Sequence, residues 1–310
     1  MHLFNKTPFF LAAAIAVSAI PLDESSTLHR LVSRGAQYDT SCDRKIPGSD
    51  KTYKEKAQTA LGDAGKLAQN TQNGKDLKGN AFTESTAFSH YFGDGDKDTV
   101  KTMMQVIYNE RIPSDANHAG EGYNFAILCG DDKDDECGPS VLAATSANPK
   151  ISSMVLCDRF FSSNTAQTKQ DLNTKVFAPD KPRQRGQWCT ENEQFPFFEV
   201  AGLTIFHEMS HLHIVGHNAG LPVREDPDGF TSEGTEDVYV QGGDSDRDHY
   251  KNMEPWQAAR EVKKLWDTYN GDNTKYKPTT PTTENAESYA AAALEFYFLS
   301  NCKWDVILPK

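Results

Sequence analysis

His207, Glu208 and His211 stand in the order His-Glu-Met-Ser-His, residues of the types that assemble a metal-dependent hydrolytic centre. On an α-helix, residues four apart lie one above the other on a single face, so His207 and His211 can present two imidazoles to one ion. Zinc held by three protein ligands keeps a fourth position for water and lowers the pKa of that water to about 7. A carboxylate beside the water can take its proton and hand it to a leaving amine, which is the general acid–base work of peptide hydrolysis. Glu208 has the right type and place for that role, with His207 and His211 as ligands to Zn2+. A pattern with so few fixed positions also arises by chance on solvated helices. Here it lies within 200–215, a stretch that is apolar nearly all round and reads as one buried helix stopped by Gly216. Burying three ionisable groups there is costly unless a metal or partner satisfies them.

The third ligand is open among three residues. His217 lies six positions after His211, but Ile214 occupies the place where a metzincin pattern has its turn glycine. Downstream, Ser232-Glu233-Gly234-Thr235-Glu236-Asp237-Val238-Tyr239 offers Asp237 after a glycine turn, and Glu233 as a thermolysin-like alternative. Zinc accepts all three side-chain types. His213 points away from the face shared by His207 and His211 and reads as structural.

These side chains need a scaffold, and the chain has ample material for one. It has 310 residues, 37% hydrophobic and 25% charged, the composition of a globular protein. Its formal net charge of −12 argues against nucleic acid as a partner, because phosphate binding needs clustered Lys and Arg. Apolar positions at helical spacing mark core-facing helices at Ala57, Ala60, Leu61, Ala64, Leu67 and Ala68, and again at Val100, Met103, Met104 and Ile107. Residues 123–129 and 153–157 read as strands. A further helix opens at Glu254-Pro255-Trp256, residues 270–283 read as a loop, and 284–299 as an Ala- and aromatic-rich helix. The Asp94-x-Asp96-x-Asp98 and Asp244-x-Asp246-x-Asp248 runs lack the glycine and glutamate of a calcium loop and read as solvated turns.

Residues 1–19 read as an export signal, with Lys6 before an apolar run that is too short to span a membrane and Val17-Ser18-Ala19 as the cleavage site. Residues 20–41 follow as a short leader or propeptide, and the catalytic domain is expected over 42–310. In an exported chain the six cysteines predict disulfides, and the short Gly-Asp loop between Cys129 and Cys137 favours that pair. A secreted, extracellular monomer acting on polypeptides, with no nucleic-acid partner and no membrane span, is the expectation.

At the motif residues the chain resembles the aspzincins, the deuterolysin and peptidyl-Lys metalloendopeptidase family. His207 to His211 followed by Gly234-Thr235-Glu236-Asp237 is similar to that family's HExxH plus GTxD. Met154 to Phe161 and Asn285-Ala286-Glu287-Ser288-Tyr289 resemble two further family stretches, and the likeness spans roughly residues 120 to 300. The resemblance implies an α+β zincin-like domain, a secreted zinc metalloendopeptidase, and Asp237 as third ligand. It also implies a tyrosine that helps hold the oxyanion. Val240 and Gln241 fill the family's Tyr and Gly positions, which leaves that role to Tyr239, one residue early, to Tyr250 as substitute, or to zinc alone. The rival reading is a secreted zinc-binding protein that has lost catalysis. Glu208, which is not a ligand and which a mere binder has no use for, favours the enzyme, and the displaced tyrosine favours the binder.

Overall fold

The computed structural model describes residues 35–111, 124–131, 136–138, 140–146, 148–149, 152–162, 168, 170–177, 187–189, 194–225, 229–238, 249–250, 252–305 and 307. The export signal, Tyr239 and the Asp244 to Asp248 run lie outside the described residues. Within them the architecture is mixed α+β, with helices packed mainly on one another beside a four-stranded sheet and a two-stranded strip.

The sheet is built from β1 (Gly35–Tyr38), β2 (Asn124–Cys129), β3 (Ala143–Thr145) and β4 (Ser153–Leu156) in the order β1-β2-β4-β3. β1 and β4 flank β2 in parallel, with Tyr38 opposite Ile127 and Cys129 opposite Leu156. β3 closes one edge antiparallel to β4, with Thr145 opposite Met154. The β2 and β4 expectations are met to within a residue. β1 is a difference: the sheet takes up residues upstream of Cys42, where the domain is expected to begin, because a four-residue strand carries too little alternation to read.

α1 (Tyr53–Asn73) starts on a capping box, the Thr52 hydroxyl accepting from Glu55 N and the Glu55 carboxylate from Thr52 N. All six of its predicted stripe residues are buried, as are the four of α3 (Lys97–Arg111). Between them lies α2 (Thr86–Tyr91), and the Asp94 to Asp98 run is the turn that starts α3. After β4 come α4 (Asp158–Phe161), then α5 (Ala201–His211) and α6 (His213–Ala219). The strip β5 (Arg224–Glu225) and β6 (Thr231–Ser232) leads to α7 (Pro255–Gly271) and α8 (Ala286–Cys302). α8 is buried nearly all round and packs on α5, α2 and α1. No described helix is long and apolar enough to cross a membrane.

Two expectations are corrected by packing. The stretch 200–215 is not one helix: the chain breaks at Leu212 (ψ 124°) and restarts as α6, which ends at the left-handed Gly220 rather than at Gly216. Gly216 sits inside α6 because a Cβ there would come within 1.7 Å of the Glu233 carbonyl oxygen. The bonded cysteines are Cys42–Cys129, Cys137–Cys157 and Cys189–Cys302, so the Cys129–Cys137 pairing is wrong. The reason is sheet geometry. Cys129 registers with Leu156 and shares its face, whereas Cys157, one residue on, faces the other side with Val155 and meets Cys137 there.

Candidate metal centre

Two segments converge on one point. α5 supplies His207 and His211, and the segment after β6 supplies Asp237. Asp237 Oδ1 lies 2.9 Å from His207 Nε2 and 3.3 Å from His211 Nε2, and the two Nε2 atoms are 3.1 Å apart.

The partners of the other ring nitrogens fix which tautomer each ring adopts when it is neutral. His207 Nδ1 lies 3.1 Å from Glu287 Oε2 on α8, and His211 Nδ1 lies 2.8 Å from the Thr235 carbonyl oxygen. Carboxylate and carbonyl oxygens only accept, so each Nδ1 carries a proton, and in the neutral form of each ring Nε2 turns a lone pair toward Asp237. Three acceptors pointing at one spot repel one another unless a cation or a proton lies between them. Burial penalises a charged imidazole here, but the Asp237 carboxylate outweighs it, holding His207 well above and His211 above their ordinary values. Burial likewise opposes the Asp237 anion, and the two imidazoles override it, holding that carboxyl well below its usual range. The donor set fits zinc: four ligands at about 2.0–2.1 Å from a tetrahedral ion stand roughly 3.3 Å from one another. Carboxylate and carbonyl partners on the outer ring nitrogens are the usual way to orient histidine ligands.

The segment carrying Asp237 is clamped from both sides. Gly234 lies against the end of α5, where a Cβ would meet the His211 carbonyl oxygen at 1.9 Å. Thr235 N donates to the Ser210 carbonyl at 3.0 Å, and its hydroxyl pairs with Ser210 Oγ at 2.7 Å. On the far side, Glu236 N donates to the Glu284 carbonyl at 2.7 Å and Ala286 N to the Glu236 carbonyl at 3.0 Å, while the Glu236 carboxylate pairs with Arg224. Asp237 is thereby tied to the start of α8, the helix that orients His207.

Glu208 is buried next to His207, and Thr145 Oγ1 lies 2.8 Å from its Oε2. Glu208, His211, Asp237, Thr145, Ala143 and Arg224 line a cleft of about 370 Å³. The other sequence candidates are elsewhere. His217 Nδ1 is 2.6 Å from Glu233 Oε2, and with His213 these residues form a separate cluster. Glu233 N donates to His213 Nδ1 at 3.1 Å, so the other nitrogen of that ring holds its proton and has no lone pair for a metal. The cluster is a grip of α6 on Glu233, in which His213, the first residue of α6, holds the Glu233 amide. Tyr250 is buried with Val238, Ala258 and Val262, away from the cleft lining. Sequence reasoning missed Thr145 and the orienting role of Glu287. Only the position of Glu287 in the quoted Asn285 to Tyr289 stretch hinted at it.

No family model matches the chain, and no curated protein matches it.

Proposed function

We propose that the protein is a zincin-like, secreted zinc metalloendopeptidase, with His207, His211 and Asp237 as ligands and Glu208 as general base and acid. The observation that carries the reading is the convergence of two imidazole Nε2 atoms and a carboxylate oxygen within 3.3 Å of one another, each imidazole oriented by an acceptor behind it. When bound, the zinc supplies a Lewis acid for the scissile carbonyl and a lowered pKa for the attacking water. The chain supplies the rest. Glu208 accepts the water proton and returns it to the amine, and β3, the sheet edge lining the cleft, offers backbone groups to an extended polypeptide. The three disulfides support folding in an oxidising compartment, in line with export.

The test is cleavage of denatured casein by the purified protein with its zinc counted, beside Glu208→Ala. The expected result is one zinc per chain in both, with cleavage lost by about 100- to 10,000-fold in the variant. Zinc in both and cleavage in neither overturns the enzyme reading in favour of a zinc carrier. Zinc in neither overturns the metal centre.

A further inference from the structure

Thr145 ends the edge strand β3, and its hydroxyl reaches across to α5. Oγ1 lies 2.8 Å from Glu208 Oε2 and 3.0 Å from the Glu208 carbonyl oxygen. A hydroxyl has one proton to donate, and of these two acceptors the ionised carboxylate makes the stronger bond. We propose that Thr145 is a positioning residue for Glu208: its hydroxyl pins Oε2, leaving Oε1 as the one oxygen that exchanges protons with substrate and water. The proposal rests on the peptidase reading of Glu208.

The chemistry explains why pinning matters. As the water oxygen bonds to the carbonyl carbon, the C=O π pair moves onto the carbonyl oxygen, one water O–H bond breaks and that proton moves to Oε1; the C=O bond re-forms when the C–N bond breaks. The same proton passes to the amide nitrogen as the C–N bond breaks, and Glu208 is returned to its starting state. One oxygen must therefore serve two positions in succession, and a glutamate free to rotate about its side-chain bonds spends little time in reach of both. A hydrogen bond from β3 also places the base by reference to the strand that lines the cleft.

Thr145→Val removes the hydroxyl at nearly constant shape, and Thr145→Ser keeps the hydroxyl and removes the methyl. With zinc content checked, kcat is expected to fall about 10- to 100-fold in Thr145→Val with KM within about threefold, and to return to within about threefold of the parent in Thr145→Ser. A Val variant as fast as the parent overturns the proposal, and so does a Ser variant no faster than the Val variant, which would leave only packing. A second readout is independent of turnover. The infrared carboxylate band of Glu208, isolated as parent minus Glu208→Gln, should move in Thr145→Val and stay in Thr145→Ser. If the parent proves inert, the peptidase reading falls while the band still judges the contact, and an unmoved band overturns it.

Discussion

Glu287 is the residue whose importance is least visible before folding. It lies 80 positions from His207, yet its carboxylate decides which imidazole nitrogen faces Asp237. Partners of this kind typically change metal affinity by about 10- to 100-fold when removed. Glu287→Gln keeps the shape but lets an amide nitrogen turn toward the ring, so zinc affinity is expected to drop by about that factor, read by competition with a chromogenic chelator. An unchanged affinity would mean that Glu287 does not set the ring. The residues quoted from the sequence divide cleanly on this scale. His207, Glu208 and His211 were legible from their spacing alone, because helical geometry converts spacing into a shared face. Asp237, His217 and Glu233 could not be ranked that way, since ligand chemistry admits all three and only chain path separates them.

Among the elements, the junction of α5 and α6 carries the most meaning. The break at Leu212 turns α6 out of line with α5, and α6 then grips Glu233 at its amide through His213 and at its carboxylate through His217. Gly216 is the contact point between α6 and the backbone that runs on to Asp237. Adding one methyl there drives a Cβ into a carbonyl with no flexible side chain to yield. Gly216→Ala is expected to cost at least about 2 kcal/mol in urea unfolding, and to weaken zinc binding, because the displaced strand is the one holding Asp237. A Gly216→Ala protein with parental stability and zinc affinity would show that α6 does not brace the site. Apolar periodicity alone could not reveal the break, for the buried apolar positions run on through Leu212 and Val215 on either side of it.

At the scale of the whole molecule, three carboxylates brought together by different segments set a pH dependence. Glu199 precedes α5 and is buried, with Glu287 of α8 and Glu254 at the start of α7 nearby. Burial first, and then those two anions, push its carboxyl from 4.5 up to about 8. Below pH 4.5 folded and unfolded chains both hold the proton. Between 4.5 and about 8 the folded state keeps a proton that the unfolded state has released, so stability falls as pH rises through this window, and the loss is complete above it. Glu199→Gln should thus be more stable than the parent at pH 9 by roughly 2 to 4 kcal/mol and nearly equal to it at pH 4. Parallel stability curves for the two proteins would refute the buried neutral carboxyl.

The His207-Glu208-Met209-Ser210-His211 motif, the α1 and α3 stripes, β2 and β4 were all determined by local sequence, because helical and strand periods act within a few residues. The pairing of cysteines was not, since strand register and face decided that Cys129 meets Cys42 and Cys137 meets Cys157. Asp237 was implied only by the family resemblance, and it is tertiary structure that brings it beside the two histidines, sends His217 and Glu233 to each other, and sets Thr145 and Glu287 on either side of the motif. Those contacts join segments 63 to 80 residues apart or clamp a loop between two helices, and no local period encodes such distances.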